Sequence, residues 1–211
     1  MSQSPSPELE SLLSHVESGT TLVLPADYGG SPAEAVRQLI RRGVRDLRIV
    51  GGPPSGYVSD LLVGAGCVAS LEMPGVILGD FGLAQRFRSA VARGTIGVKD
   101  TTCPAFHASI AAARQGLPFM PIRGLIGSDV LANRPDWTVV DNPFAPGDSD
   151  SADPIVLIPA FSPDVALFHA RLADREGNVW LGKNFEVRGI AQAAKKVLVT
   201  YENVYDGNLL D

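Results

Sequence analysis

Short apolar runs alternate with amphipathic stretches along most of the chain. The runs that predict β-strands lie at 21–24, 47–50, 76–78, 96–98, 155–158, 165–169, 179–181 and 196–201. Apolar residues spaced three and four positions apart predict helices at 57–63, 82–93, 104–115 and 187–195. Short continuous apolar runs are typical of strands buried on both faces of a parallel sheet. The alternation therefore predicts an α/β fold in which helices cover a mostly parallel sheet.

A further helix is predicted to begin near Ser31. Ser31 is a suitable N-cap residue, and Pro32 suits the first helical position. Glu34 is placed to complete a capping box with Ser31. Gly43 is predicted to end this helix.

The 211 residues are predicted to form one domain over 9–211, preceded by a flexible Ser/Pro-rich leader over 1–8. A domain of this length buries enough surface to fold without disulfides or bound metals. Residues 142–153 are rich in Pro, Gly, Ser and Asp and predict a loop inside that domain.

Composition and charge exclude several classes of protein. The net charge is -5 and the Lys and Arg residues are scattered, which argues against a nucleic-acid surface. No apolar run approaches the roughly 18–20 residues of a membrane helix, and the first residues lack the pattern of a signal peptide. Neither the cysteines, Cys67 and Cys103, nor the three histidines have the spacing of a metal site. We therefore expect a metal-free cytoplasmic protein with Cys67 in its core.

Two glycine-rich loops, 26–30 and 51–56, each follow a predicted strand and precede a predicted helix. Ligands of open parallel sheets bind beyond the carboxyl ends of the strands, where glycines let them approach backbone amides. Neither loop matches a nucleotide-binding motif. Tight-turn chemistry explains the same residues equally well.

Several longer segments carry a family resemblance. They are DLLVGAGCV (60–68), DFGLA (80–84), LPFMP (117–121), GLIGSD (124–129), DVALFHA (164–170) and AD…GNV (173–179). Together they resemble the α-subunit of the family I coenzyme A transferases, of the glutaconate and 3-oxoacid types, over about residues 17–204.

This resemblance implies a three-layer α/β/α domain of the CoA transferase type with a mostly parallel sheet. It implies an enzyme that moves CoA between an acyl-CoA and a carboxylic acid, with no bound cofactor. The nucleophilic glutamate belongs to a separate β-subunit in an α2β2 heterotetramer, and the α-subunit helps to supply oxyanion donors. The positions it assigns to substrate binding are Gly29, Gly30, Gly51, Gly52, Ser55, Gly56, Gly82 and Arg123.

Two alternatives to a transferase stay open. One is an acyl-CoA hydrolase or ring-opening C–C hydrolase of the same fold, also built from two kinds of subunit. The other is a non-catalytic chain that binds acyl-CoA.

The chain departs from the family pattern at Thr101–Pro104. Relatives carry Gln or Glu near the start of this helix, whereas here Cys103 occupies the position. A cysteine at a helix N-terminus can line a site as a thiolate, or it can be a small buried packing residue. We keep Cys103 as the candidate catalytic residue, on the oxyanion side of the pocket.

Three further features have plainer interpretations. Glu176, Glu186 and Glu202 are in contexts unlike that of the family nucleophile and are predicted to be solvated surface carboxylates. The turn Asp174–Asn178 is predicted to be structural. Arg123 suits either a carboxylate or phosphate of the substrate or an ion pair within the protein.

Overall fold

The structure is a computed structural model and describes residues 6–52, 54–145 and 153–211. The strands are β1 (Thr21–Leu24), β2 (Leu47–Gly51), β3 (Val68–Glu72), β4 (Gly97–Val98), β5 (Phe119–Ile122), β6 (Thr138–Asp141), β7 (Pro154–Pro159), β8 (Val165–Asp174), β9 (Val179–Trp180) and β10 (Lys196–Tyr205). The α-helices are α1 (Pro7–Leu13), α2 (Ala33–Arg41), α3 (Tyr57–Gly64), α4 (Gln85–Ala92), α5 (Cys103–Arg114) and α6 (Phe185–Ala193).

The main sheet has the order β10-β8-β1-β2-β3-β4, and every pair along this path is parallel. β9 adds an antiparallel pair to β8. Successive residues of β1 point to opposite faces of a sheet, yet Leu22, Val23 and Leu24 are all fully buried. Leu22 and Leu24 pack with residues of α1 to α4, while Val23 packs with residues of α5 and α6. The predicted three-layer α/β/α fold is therefore confirmed.

A second, antiparallel sheet of order β5-β7-β6 packs against α5. Its core contains Ala105, Ala108, Val156 and Ile158. Of its three strands, the apolar pattern predicts only β7. The flanking strands β5 and β6 are mostly exposed, so they lack the continuous apolar run that identifies a buried strand.

Three local predictions are wrong. The strand at 76–78 is only an isolated bridge between Ile77 and Leu83, and the strand at this point of the chain is β3. The capping box at Ser31 does not form, because the Ser31 hydroxyl lies 3.4 Å from Oδ1 of Asp27 instead. The last leader residues belong to α1, which begins at Pro7 and is capped by Ser6. The remainder of the leader (1–5) and residues 146–152 of the predicted loop lie outside the described residues.

The parallel register brings four strand ends to one edge of the sheet. Leu24 is opposite Gly51, Val50 is opposite Glu72, and Leu71 is opposite Val98. The segments that leave β1, β2 and β4, of which the structure describes residues 25–30, 52, 54–56 and 99–103, therefore emerge side by side. Together with the first turns of α5 and α6, these segments form the rim of the sheet.

A buried arginine joins the rim to the second sheet. Arg134 is 4% exposed and donates to Glu72 at 2.7 Å and to both carboxylate oxygens of Asp136 at 2.9 Å. It also donates to the Asp100 carbonyl at 2.7 Å, and its guanidinium carbon lies 3.9 Å from the ring centre of Trp137. The bonds from Arg134 hold the pKa of Asp136 well below its usual range.

Replacing Arg134 by Met is expected to lower the free energy of unfolding by about 2 kcal/mol, because Glu72 and Asp136 would keep their charges and lose their buried partner. Lys99 lies 3.5 Å from Glu72 and 3.0 Å from Asp136 and limits the loss. Urea unfolding measures the difference. Arg93→Met, at an exposed position, is the matched control; an equal effect of both variants would contradict the assignment.

The turn that follows β8 is held by one carboxylate. Asp174 accepts from the amides of Glu176, Asn178 and Leu209 at 2.8–2.9 Å and from the Asn178 side chain at 2.8 Å. Burial acts to raise the pKa of Asp174, but these bonds together lower it to about 2. Its side chain organises the turn and fastens the chain end to it, as predicted.

The stability that Asp174 supplies depends on pH. Because its folded pKa lies below the unfolded value of about 3.9, the contribution is present above that value and is lost as the pH falls toward 2. We expect Asp174→Asn to flatten the loss of unfolding free energy between about pH 5 and pH 2.5, measured by urea unfolding. Asp80→Asn, at an exposed position, is expected to follow the unsubstituted protein.

Candidate functional site

The two glycine loops of the rim are joined by Asp27. Its carboxylate accepts from the amide of Gly56 at 3.0 Å and from the amide of Tyr57 at 3.1 Å, at the start of α3. Its own amide donates to the Pro54 carbonyl at 2.8 Å. The first amides of a helix have no partner within the helix, so Asp27 satisfies two of them and fixes the spacing of the loops.

The start of α6 lies across both loops. A Cβ added to Gly29 would lie 3.5 Å from Cγ2 of Val187, and a Cβ added to Gly52 would overlap Oε1 of Glu186 and lie 2.8 Å from its Cδ. Any larger residue at position 52 would therefore displace the Glu186 carboxyl.

Glu186 is not the solvated surface carboxylate predicted from sequence. Its side chain is only partly exposed, and its Oε1 is buried with no hydrogen-bond partner among the described residues. Burial raises the pKa of Glu186, while the charge of His107 acts in the opposite direction. Of the three glutamates expected at the surface, Glu176 and Glu202 are exposed as predicted.

The start of α5 forms the next part of the rim. The Thr102 hydroxyl caps this helix by accepting from the Ala105 amide at 3.3 Å. Cys103 is the first helical residue and is exposed, so the buried-packing interpretation of this cysteine is wrong. His107 follows one turn later and makes an edge contact with Phe106, with ring centres 5.3 Å apart.

Two cavities flank the glycine loops. One of about 130 Å³ lies toward α5 and the second sheet, and Val50, Thr101, Phe106 and Arg134 are among its lining residues. The other, of about 330 Å³, lies toward β8 and β9. Its lining includes Tyr28, Gly29, Gly30, His169 and Asn184.

The structure brings most of the predicted binding positions together. Gly29, Gly30, Gly52 and Gly56 lie in the two joined loops, and Gly51 ends β2; all of them are buried except the half-buried Gly30. Gly30 has a φ of 91° and its carbonyl accepts from the His169 amide at 2.8 Å, so it packs directly on β8. A glycine at this position allows both the positive φ and the close approach.

The other three predicted positions have different surroundings. Ser55 is fully buried, and its hydroxyl lies 3.2 Å from that of Ser59. Gly82 is exposed, in the segment whose Ile77 carbonyl packs on Gly56. Arg123 follows β5 of the second sheet and makes a bidentate ion pair with Asp153, at 2.9 and 2.6 Å. The carboxylate that Arg123 binds in this structure is therefore one of its own chain.

Sequence reasoning missed Glu186 and His107. A glutamate in the first turn of a helix is common, since it complements the helix dipole, and a single histidine on a helix carries no motif. The close approach of Gly52 to Glu186 joins residues distant in sequence, so only folding reveals it.

The described residues contain no group of three or more His, Cys, Asp or Glu side chains arranged to hold a metal ion. Within the described part of the chain, no helix is both long and apolar enough to cross a membrane.

Comparison with known proteins agrees with this architecture. The family model described as Coenzyme A transferase matches residues 8–210. The chain is 33% identical to the α-subunit of the 3-oxoadipate CoA-transferase of Pseudomonas knackmussii, over 90% of this chain and 67% of that protein. It is 32% identical to the cholesterol ring-cleaving hydrolase IpdA subunit of Rhodococcus jostii, over 81% of this chain and 57% of that protein.

A solved structure shows the same fold. The glutaconate coenzyme A-transferase of Acidaminococcus fermentans superposes with a TM-score of 0.81 at 29% identity, over 93% of this chain and 66% of that chain. The chain spans about two thirds of the length of the transferases that it matches. By its sequence over residues 8–210 and by its fold, the chain belongs to the coenzyme A transferase family, in which it is homologous to the α-subunits of the 3-oxoadipate and glutaconate enzymes.

Proposed function

We propose that this chain is the α-subunit of a heteromeric family I CoA transferase that moves CoA between an acyl-CoA and a carboxylic acid. One observation carries the proposal: two glycine loops, joined through Asp27, lie at the carboxyl edge of a parallel sheet in a member of this family. Such an edge is where open parallel sheets bind their ligands.

In this proposal each part of the rim has a chemical task. The backbone of Gly29 and Gly30, which lines the cavity toward β8 and β9, lets the acyl-CoA approach the sheet, while the buried Gly51 and Gly52 allow close packing of the loops. The Cys103 amide at the start of α5 donates to the oxyanion that forms when the thioester carbonyl is attacked, because Pro104 has no N–H and the amides of Ala105 and Phe106 donate to Thr102. Exposed Cys103 lines the same side of the pocket. Fixed donors of this kind need no reorganisation when negative charge develops.

The nucleophile in this proposal is a glutamate of a separate β-subunit. Attack on the thioester breaks its C–S bond and gives an acyl-glutamyl anhydride and CoA thiolate. The thiolate then attacks the glutamyl carbonyl of the anhydride, which releases the acyl group as a carboxylate and leaves a glutamyl-CoA thioester. The incoming carboxylate takes the CoA from that intermediate. We propose an α2β2 heterotetramer, as the resemblance to family I implies, and a cytoplasmic location. The unpaired Cys67 and Cys103 fit a reducing compartment.

A second candidate function is hydrolysis of acyl-CoA or of a C–C bond by the same heteromeric architecture. Two observations favour it: the similarity to a ring-cleaving hydrolase, and the unpaired carboxyl oxygen of Glu186, since a carboxylate is one of the groups that can act as a general base toward water. The two functions differ in whether a carboxylic acid is needed as acceptor.

The assay uses the chain co-expressed with its β-subunit and follows CoA transfer from acetyl-CoA or succinyl-CoA to a panel of acids. We expect transfer only when both chains are present. Borohydride is expected to inactivate the complex only after incubation with acyl-CoA, because it reduces the glutamyl-CoA thioester.

Three other results would contradict the transferase proposal. Transfer by this chain alone would show that the nucleophile does not belong to the β-subunit. Hydrolysis without transfer would favour the second candidate. A stable complex that binds acyl-CoA without turnover would identify a non-catalytic binding protein instead.

A further inference from the structure

We propose that Glu186 is a general base that activates water against the bound thioester, so that the complex hydrolyses acyl-CoA as well as transferring CoA. This inference rests on the proposed function, because acyl-CoA must bind at the rim. It adds a reaction, and a residue of this chain that performs it.

The position of the carboxyl supports this role. Glu186 lies in the first turn of α6 and rests on the α-carbon of Gly52, at the carboxyl end of β2. Gly52 is buried under this carboxyl, so a ligand that reaches this end of β2 meets Glu186 before the glycine backbone. The neighbouring Val187 contacts the other loop at Gly29, which holds the first turn of α6 in place.

The unpaired oxygen is the second observation. A buried polar atom without a partner lowers stability by about 1–3 kcal/mol, and such atoms are rare in folded proteins. Oε1 of Glu186 is the buried side-chain oxygen or nitrogen without a partner in the described part of the chain. This oxygen therefore has no competing donor among the described residues.

The other carboxylates near the rim are already bound. Asp27 accepts from the amides of Gly56 and Tyr57. Glu72 is paired with Arg134, whose guanidinium also binds Asp136. Asp100, before α5, accepts from the Asn133 side chain at 2.6 Å. None of these groups is free to take a proton without breaking these contacts. Glu186 is therefore the carboxylate of the rim that is suited to act as a base.

The surroundings of Glu186 set the pKa of its carboxyl. Burial raises its pKa and so makes the carboxylate a stronger base than a solvated one. The charge of His107 on α5 acts in the opposite direction and lowers the pKa of Glu186. The loop 51–56 carries no charged residue, and the charge of Asp27 in the other loop is engaged by α3. Arg188 on α6 is exposed.

The proposed step balances as a hydrolysis. The Glu186 carboxylate takes one proton from water as the water oxygen bonds to the thioester carbonyl carbon. The tetrahedral oxyanion collapses, the C–S bond breaks, and the departing CoA thiolate receives the proton from Glu186. The products are a carboxylic acid and free CoA.

The first test compares Glu186→Gln with the unsubstituted chain, each in complex with the β-subunit. Gln keeps the size of the side chain but cannot accept the proton, so acyl-CoA hydrolysis without acceptor acid is expected to fall about 10²-fold. The ratio of hydrolysis to transfer is expected to fall with it. Products are separated by chromatography, because a thiol reagent would also react with exposed Cys103.

Failure to fold would not explain such a loss. The raised pKa means that the ionised carboxylate destabilises the fold above its unfolded pKa, so Glu186→Gln is expected to leave stability at pH 7 unchanged or higher. Glu17→Gln, at an exposed carboxyl, is the matched control and should leave both rates unchanged.

The pH profile gives a readout that a purely structural role would not change. Hydrolysis should rise with pH as Glu186 ionises, and this acidic limb should disappear in Glu186→Gln. Replacing His107 by Gln removes the charge that lowers the pKa of Glu186, so the limb should move to higher pH. A limb that stays in place in both variants would assign the titration to another group.

Gly52→Ala tests the contact independently, because its Cβ must displace the Glu186 carboxyl. Hydrolysis should fall as in Glu186→Gln. Gly124→Ala is the matched control, since its Cβ would have no neighbour within 4 Å.

The outcomes separate this inference from the proposed function. If the complex transfers CoA but Glu186→Gln leaves the hydrolysis rate unchanged, Glu186 is not the general base and the transferase proposal stands. If the complex does not transfer CoA but hydrolyses acyl-CoA in a reaction that depends on Glu186, the transferase proposal is wrong and Glu186 remains the general base. A complex with neither activity overturns both.

Discussion

Parallel pairing of β1, β2, β3 and β4 sets the geometry on which the candidate site depends. Because Leu24 lies opposite Gly51 and Val50 lies opposite Glu72, the strands end at one level and release their loops side by side. Each loop alone is a turn with glycines. Their combination, joined by the carboxylate of Asp27, makes one closely packed rim in which Gly29, Gly51, Gly52 and Gly56 are buried.

The rim is held in place by contacts on two sides. Arg134 connects the end of β3 and the segment before α5 to the second sheet through Glu72, Asp100 and Asp136. On the other side of the rim, α6 packs on both glycine loops through Val187 and Glu186. A displacement of either support would move the loops relative to the start of α5. The buried charges and the close glycine contacts are therefore part of the site as much as of the fold.

At the rim, one side chain both destabilises the fold and is proposed to take part in the chemistry. A carboxyl with a buried, unpaired oxygen destabilises the protein, and a hydrocarbon side chain at this position would avoid that penalty. Strain and unsatisfied polar atoms are concentrated at functional sites in proteins. Glu186 fits this pattern, while the fully paired Asp174, in the turn after β8, has the opposite character.

The sequence by itself determined the layered α/β fold and most of the elements of the parallel sheet. Buried strands such as 21–24 and 165–169 are continuous apolar runs, and glycine-rich turns separate them from helices. It also placed the glycines of the site, because their positions follow directly from the strand ends. Family and fold could be read from collinear segments such as 60–68 and 164–170.

Only the tertiary structure decided the second sheet and the chemistry of the rim. Strands β5 and β6 are largely exposed, so pairing with β7 defines them rather than apolar periodicity. In the folded chain Arg123 binds Asp153, and the Ser55 hydroxyl lies beside that of Ser59. Oε1 of Glu186 is buried because α6 packs onto Gly52. Burial and pairing depend on which surfaces meet, and residues 52 and 186 are brought together by packing that no local pattern encodes.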